Sequence, residues 1–289
     1  MDNRIDRKAS LSAFRARLEE DEKSANTIGK YIRDAATFFA FAGEREISKE
    51  LVREYKKSLV GSGRYKERSI NSMLVAVNRL LDFLGLGDCR VKTLKIQNET
   101  FIPEDKELTK AEFDRLVETA RKRGDERLAL ILQTICGTGI RVSELRFITV
   151  EAVRSGEATV SCKGKTRKVF IVSALRKLLK QYIAKNGIGS GSVFLGANGK
   201  PVDRTTVWRE MKSLCAAANV KPTKVYPHNL RKLFARVFYK IEKDIAKLAD
   251  ILGHSSINTT RIYLVATGKE HRRRMEKMGL VVLQREEET

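Results

Sequence analysis

The chain has little of several features on which common protein classes depend. Its four cysteines are scattered over 289 residues and no two have C-x-x-C spacing, so the sequence supports neither a zinc site nor a redox motif. It has no run of 18 apolar residues, the usual mark of a transmembrane helix. The N-terminus MDNRIDRKAS lacks the apolar centre of a signal peptide. We therefore expect a cytoplasmic protein with reduced thiols and no membrane partner.

Acidic residues are also scarce relative to basic ones. The 57 lysines and arginines against 36 aspartates and glutamates give a formal net charge of +21. Such a surface attracts polyanions, of which nucleic acid is the commonest. A solvated basic surface, or association with ribosomes or membranes, would account for the charge as well. The phosphate-binding pattern G-x-x-x-x-G-K-[ST] is absent, so ATP use is not supported and no cofactor is expected.

With only four prolines, long stretches keep a helical spacing of apolar residues and predict a mainly α fold. Residues 1–90 contain four such stretches and predict a small helical bundle. Residues 91–106 lose the period and contain Pro103, which is typical of an extended linker. Residues 107–289 predict a second, mostly helical domain, whose first helix starts at a capping-box pattern of Thr109 and Glu112.

Within the second domain two short runs, ATVSC and RKVFIV, favour β-strands. They are separated by Lys163-Gly164-Lys165-Thr166, which predicts a hairpin turn. The remaining periodic segments predict helices over 125–136, 141–148, 173–186, 204–218, 228–241, 244–252 and 257–265.

Four segments of this domain carry residues suited to cleaving a phosphodiester: GTGIRVSEL, SCKGKTRKVFI, PHNLRKLF and LADILGHSSINTTRIYL. Such cleavage without a metal needs a nucleophile, cations for the phosphorane, and proton donors and acceptors. The candidates are Arg141, Lys163, His228, Arg231, His254 and Tyr263. Each alone has an ordinary explanation, such as a surface arginine or a tyrosine of the core. Yet two of only three histidines in the chain lie in these segments.

The order G-x-R-x-x-E-L, lysine hairpin, H-x-L-R, and L-G-H followed nine residues later by Tyr resembles the tyrosine recombinase (integrase) family. The segment SANTIGKYIRDAATFFAF also resembles the N-terminal core-binding domain of its Xer-like members. The resemblance implies that Tyr263 is the nucleophile of a 3′-phosphotyrosyl link and that Arg141 and Arg231 hold the scissile phosphate.

The resemblance further implies that Lys163 protonates the leaving 5′-oxygen, although Lys165 and Lys168 compete with it for this role. It implies that His228 helps to take the tyrosine proton, that His254 hydrogen-bonds a phosphate oxygen, and that Glu144 orients an arginine or histidine. Lys232 stands where many members have histidine, but this position is outside the catalytic six.

The implied partners are double-stranded DNA with specific recombination sites and three further copies of the chain, which form a homotetramer on paired sites. The outcome would be integration, excision, inversion or resolution. Two alternatives are a type IB topoisomerase, which uses a similar tyrosine site as a monomer, and a DNA-binding protein with a decayed site. The N-terminal resemblance favours the recombinases over the first, and the presence of all six residues argues against the second.

Overall fold

A computed structural model describes residues 6–96, 103–162, 165–265, 268–278 and 280, without the side chains of 104, 162, 165, 268–270 and 274. The chain divides into two compact units, Met1–Asn98 and Glu99–Thr289. The described part is mainly helical with one two-stranded sheet. None of its helices combines the length and the apolar character needed to cross a membrane.

The first unit is a bundle of the four predicted helices. They are α1 (Arg7–Glu20), α2 (Ala25–Ala42), α3 (Lys49–Gly61) and α4 (Glu67–Phe83). Ser24 accepts a hydrogen bond from the backbone N–H of Thr27 and starts α2. The apolar stripes of the four helices meet in one core that includes Phe14, Phe38 and Leu74, each at most 1% exposed. Burial of these stripes holds the bundle together.

Two asparagines on α4 fasten the segment that follows the bundle. The amide of Asn78 donates to the carbonyl of Val91 and accepts from its N–H, at 2.9 and 3.1 Å. Asn71 makes the same pair of bonds with Leu94, at 2.9 and 2.6 Å. Each side chain thus satisfies the N–H and the carbonyl of one extended residue, as a neighbouring β-strand would. Residues 91–94 lie at the start of the predicted linker, yet they are bonded to the helical unit.

Replacing Asn78 by alanine is expected to release this segment. The change leaves the N–H and carbonyl of Val91 without their partners, which costs about 1–3 kcal/mol if no water replaces them. Hydrogen exchange at the amide of Val91 should become faster, and the unfolding midpoint of the first unit should fall. Val75→Ala, an exposed change on the same helix, is the control. Unchanged exchange at Val91 in the Asn78 variant would contradict the assigned role.

The second unit is built around α6 (Glu126–Thr138), whose residues Leu128 to Leu132 are all at most 3% exposed. A helix that is apolar on every side is buried in the middle of its domain. The other helices are α5 (Lys110–Lys122), α7 (Val150–Ser155), α8 (Ser173–Lys185), α9 (Arg204–Ser213), α10 (Pro227–Glu242), α11 (Ile245–Leu252), α12 (Ile257–Leu264) and α13 (Gly268–Glu276). The capping box at Thr109 and Glu112 is present and starts α5.

The hairpin consists of antiparallel strands β1 (Glu157–Cys162) and β2 (Lys165–Phe170), with Ser161 opposite Thr166 and Val160 opposite Arg167. The predicted turn was too long, because Lys165 and Thr166 belong to β2. Thr166 is β-branched and suits a strand. Val169 of β2 and Ile171 just after it are buried, whereas Lys168 and Phe170 are exposed. The alternation puts Arg167 on the inward face of the strand.

Two predicted helices differ from the structure. The segment 141–148 is a 3₁₀ helix over Val142–Phe147 rather than an α-helix, and Arg141 precedes it with extended backbone. The Glu144 carboxylate accepts a hydrogen bond from the backbone N–H of Arg141 at 2.8 Å. This bond favours a tight i→i+3 turn. The predicted helix 204–218 ends at Ser213, followed by turns that reach Asn219 in a left-handed conformation (φ 49°).

Candidate active site

The second unit brings five of the six predicted site residues together. His228 and Arg231 lie in the first two turns of α10, and Tyr263 lies near the end of α12. His254 follows Gly253, which ends α11, and the guanidinium of Arg141 is 3.4 Å from the Gly253 carbonyl oxygen. Lys163 and its neighbour Gly164 lie outside the described residues, as does the side chain of Lys165.

Arg231 is the centre of this cluster and is only 1% exposed. Its guanidinium donates to the carbonyl oxygen of Gly139, to that of Leu252 at 2.5 Å, and to Nε2 of His254 at 3.0 Å. Burial, and then the charge of Arg141, lower the pKa of Arg231 to about 10. Arg231 therefore remains a cation at neutral pH, and its contacts join the segments that carry Arg141 and His254.

Gly139 permits this approach of α10 to the end of α6. Its φ of 67° is left-handed, and a Cβ atom there would lie 2.5 Å from the ring of Phe234. Any larger residue would have to displace that ring as well as adopt an unfavourable backbone conformation. The glycine of the G-x-R pattern thus has a steric reason.

His254 is oriented from both sides of its ring. Nδ1 lies 2.9 Å from the hydroxyl of Thr260, and Nε2 faces Arg231. A guanidinium can only donate hydrogen bonds, so Nε2 accepts and the ring proton lies on Nδ1. Burial, followed by the charges of Arg231 and Arg141, lowers the pKa of His254 to about 4. His254 is therefore neutral at pH 7 in the chain without DNA.

Tyr263 lies between the two histidines and is 5% exposed. Its ring is perpendicular to both imidazoles, with centroid distances of 4.9 Å to His228 and 5.0 Å to His254. The phenol oxygen is 3.5 Å from Nδ1 of His228, close enough for proton transfer after a small movement. Partial burial of the imidazole, then the charges of Lys232 and Arg231, lower the pKa of His228. An unprotonated His228 is available to accept a proton.

Glu144 is the only buried carboxylate of the described cluster, and it is held between two arginines. Arg141 lies 2.9 Å from one of its oxygens, and Arg167 donates to both oxygens at 3.0 and 2.8 Å. Burial by itself would raise the pKa of Glu144, but the hydrogen bonds from Arg167 and Arg141 outweigh it and hold the pKa at about 2. Glu144 therefore holds the side chain of Arg141 by hydrogen bonds.

The sequence interpretation missed Arg167. Its signal was the alternation along β2, which puts an arginine on the same face as Val169 and Ile171. An inward-pointing charge on a strand requires a partner, which here is Glu144. Lys168, the neighbour on the outward face, is exposed and pairs with Glu157 at 2.6 Å. The Lys168 ammonium is thus directed at Glu157 on the exposed face of the hairpin.

The histidine pKa shifts give a test in the DNA-free chain. Of the three histidine side chains, those of His228 and His254 should remain neutral between pH 8 and pH 5.5, because both have a pKa below the ordinary 6.5. The unfolded chain takes up protons at these positions below pH 6.5, so stability should fall as the pH drops from 6.5 towards 4. NMR titration of the imidazole signals, assigned with His228→Gln and His254→Gln, would measure this. Titration of both near pH 6.5 would contradict it.

A cluster that combines two arginines, two neutral histidines and a tyrosine at their centre is suited to nucleophilic attack on a phosphodiester. Among the described residues, no group of histidine, cysteine, aspartate and glutamate is arranged to hold a metal ion. The class of protein that the fold and site suggest is an enzyme that acts on a phosphodiester.

The comparisons with known proteins identify the family of the chain. Residues 106–270 match the phage integrase family model, and residues 11–85 match the model of the phage integrase N-terminal SAM-like domain. The chain is 30% identical over 278 residues to the tyrosine recombinase XerA of Pyrococcus furiosus, with 94% of each chain covered. It is 30% identical over 264 residues to XerD of Staphylococcus aureus, covering 83% of this chain and 88% of that protein.

Solved structures show the same fold. The crystal structure of XerA recombinase matches 96% of this chain and all of its own, with 25% identity and a TM-score of 0.54. A lambda integrase dimer bound to a core site matches 96% of this chain and 99% of its own, with a TM-score of 0.73 but 16% identity. The chain belongs to the phage integrase family. It is a site-specific DNA recombinase of the tyrosine type.

Proposed function

We propose that the chain cuts and rejoins DNA through a 3′-phosphotyrosyl intermediate formed by Tyr263. The observation that carries this proposal is the position of the Tyr263 phenol between His228 and His254, beside buried Arg231. The phenol oxygen attacks the scissile phosphorus, its proton passes to Nδ1 of His228, and the bond from phosphorus to the 5′-oxygen breaks. Arg141 and Arg231 neutralise the charge that develops on the phosphoryl oxygens.

The leaving 5′-oxygen requires a proton, which we assign to Lys163. The phosphotyrosyl bond keeps the energy of the broken phosphodiester, so a 5′-hydroxyl from another strand can reseal it without ATP. His254 would donate to a phosphoryl oxygen. For this its Nε2 must gain a proton and release Arg231, a change that the negative charge of bound DNA favours by raising the pKa of His254.

The substrate we propose is duplex DNA with specific sites, bound by four copies of the chain on two sites. The net charge of +21 supports phosphate binding along both units, with base contacts setting the site preference. A lambda integrase tetramer bound to a Holliday junction and XerH bound to its difH substrate share this fold. We place the enzyme in the cytoplasm, which suits the free thiols of Cys89, Cys136 and Cys215.

Capture of the covalent intermediate tests this proposal and also finds the target site. The protein would be incubated in EDTA with a library of randomised duplexes nicked near the centre, so that cleavage releases a short fragment and cannot be reversed. Adducts that survive denaturation would be purified, their DNA sequenced, and the modified peptide identified by mass spectrometry. We expect one enriched sequence on the peptide that contains Tyr263. Adducts on another residue, or none at all, would overturn the proposal.

The alternative that the sequence by itself left open was a type IB topoisomerase. It would relax supercoiled plasmids that lack the enriched sequence, whereas a recombinase should join two copies of that sequence and leave other plasmids unchanged. Family membership favours recombination.

A sulfur substrate should separate Lys163 from Lys165 as the general acid. A 5′-bridging phosphorothiolate leaves as a thiolate, which is a much weaker base than an alkoxide and needs little help from an acid. Lys163→Ala should therefore cleave ordinary DNA about 10²–10⁴-fold more slowly than the parent chain. It should cleave the sulfur substrate at nearly the parental rate. Lys165→Ala is the matched variant. Rescue of Lys165→Ala but not Lys163→Ala would move the role to Lys165.

A further inference from the structure

Arg167 is hydrogen-bonded by residues next to Arg141, one of the two arginines proposed to hold the scissile phosphate. Its two terminal nitrogens donate to the two oxygens of Glu144, and its Nε donates to the carbonyl oxygen of Ile251 at 3.1 Å. The side chain is 14% exposed and that of Glu144 1%. This two-point pairing of guanidinium and carboxylate is the strongest geometry for such an ion pair.

Arg167 also determines the net charge next to Arg141. Glu144 also accepts from the backbone N–H and from Nη1 of Arg141, at 2.8 and 2.9 Å. Two guanidiniums and one carboxylate leave one net positive charge at this point. Without Arg167, Glu144 would be paired with Arg141 alone and would cancel its charge. A phosphate would then compete with a buried carboxylate for Arg141.

Arg167 also contacts the turn that carries His254. Gly253 has a left-handed φ of 63°, and a Cβ atom there would lie 2.8 Å from Cδ of Arg167. The Ile251 carbonyl that Arg167 binds belongs to the last turn of α11, and Arg141 approaches the Gly253 carbonyl from its own side. One side chain of β2 therefore joins the hairpin, the 3₁₀ helix of Glu144 and the end of α11.

We propose that Arg167 is a positioning residue for strand cleavage: it neutralises Glu144 so that the charge of Arg141 stays available to the scissile phosphate. The inference rests on the proposed function. A purely structural brace would make the same contacts, but it would affect every substrate of the enzyme alike. The role assigned to Arg167 depends on the negative charge of the phosphate, and this dependence can be measured.

The experiment compares two scissile groups in single-turnover cleavage of the enriched site: the natural phosphate and a methylphosphonate, which carries no charge. Arg167→Ala should lower the rate on the phosphate by about 10- to 100-fold, towards the loss seen when one preorganised positive group is removed. On the methylphosphonate its rate should approach that of the parent chain. Arg167→Lys keeps the charge but not the two-point pairing. Its rate on the phosphate should lie between those of the parent chain and Arg167→Ala.

Arg176→Ala is the matched control. Arg176 also donates its Nε to a backbone carbonyl, that of Val153 at 2.8 Å, but it lies on α8 and contacts no residue of the cluster described above. It should change the two rates by the same factor. Thermal unfolding of each variant selects those that are folded at the assay temperature. If Arg167→Ala is unfolded at that temperature, Arg167→Gln replaces it. The rates of Arg167→Gln on the phosphate and on the methylphosphonate are then compared in the same way.

A second measurement uses Glu144→Gln in the Arg167→Ala background. Removing the carboxylate removes the competitor for Arg141, so the double variant should cleave phosphate DNA faster than Arg167→Ala. Equal losses on both substrates, or a double variant slower than Arg167→Ala, would overturn the inference. A parent chain that forms no adduct would instead overturn the proposed function, so the two failures are distinguishable.

Discussion

Replacing Tyr263 by phenylalanine is expected to abolish the covalent protein–DNA adduct, with a loss of at least about 10⁴-fold, the scale seen when an enzyme's nucleophile is removed. The change removes one oxygen atom, which lies 3.5 Å from Nδ1 of His228 and also interacts with the guanidinium of Arg231. The ring contacts with both histidines persist. Folding and binding of the DNA site should therefore be unchanged.

The measurement is denaturing electrophoresis of the nicked substrate after incubation with the variant, together with a gel-shift assay for binding. Tyr239→Phe is the matched control, since Tyr239 on α10 packs against the same small apolar cluster as Tyr263. It should form the adduct at the parental rate. An adduct formed by Tyr263→Phe would show that another residue is the nucleophile.

Arg141→Ala should leave the fold intact and slow cleavage by about 10²–10³-fold, the cost of one preorganised positive group. The Arg141 side chain is 36% exposed, so its removal leaves no large cavity. Single-turnover cleavage and thermal unfolding would be measured together. Arg115→Ala, which removes hydrogen bonds to the carbonyls of Ala218 and Asn219, is the control for losing an arginine of this unit. A parental cleavage rate in Arg141→Ala would make this arginine structural.

Arg231→Ala should behave differently, although the sequence suggests the same role for both arginines. Its removal empties a buried volume and leaves the carbonyls of Gly139 and Leu252 without their donors. Each buried polar group left unsatisfied costs about 1–3 kcal/mol. Loss of cleavage in this variant would therefore not separate catalysis from folding. Arg231→Lys keeps the charge and is the better probe, with a smaller loss of stability and a large loss of cleavage.

Local patterns in the sequence were sufficient for most of the fold. Helical spacing predicted the four helices of the first unit and most of those in the second, and the capping box at Thr109 was present as predicted. These features depend on residues three or four positions apart, so the sequence displays them directly. The order of the candidate site residues likewise identified the family, and the roles assigned to Arg141, Lys163 and Tyr263 remain predictions.

Only the tertiary structure decided how these residues act on one another. Arg167 is 23 residues from Glu144 and 84 from Ile251, and no local pattern connects such positions. The neutral state of His254 follows from its burial and from the charge of Arg231, 23 residues away. The extended path after α4 follows from Asn71 and Asn78. The sequence by itself determined most of the elements that form and which residues are candidates for the chemistry. Partners, burial and charge state depend on contacts between distant segments, which exist only once the chain has folded.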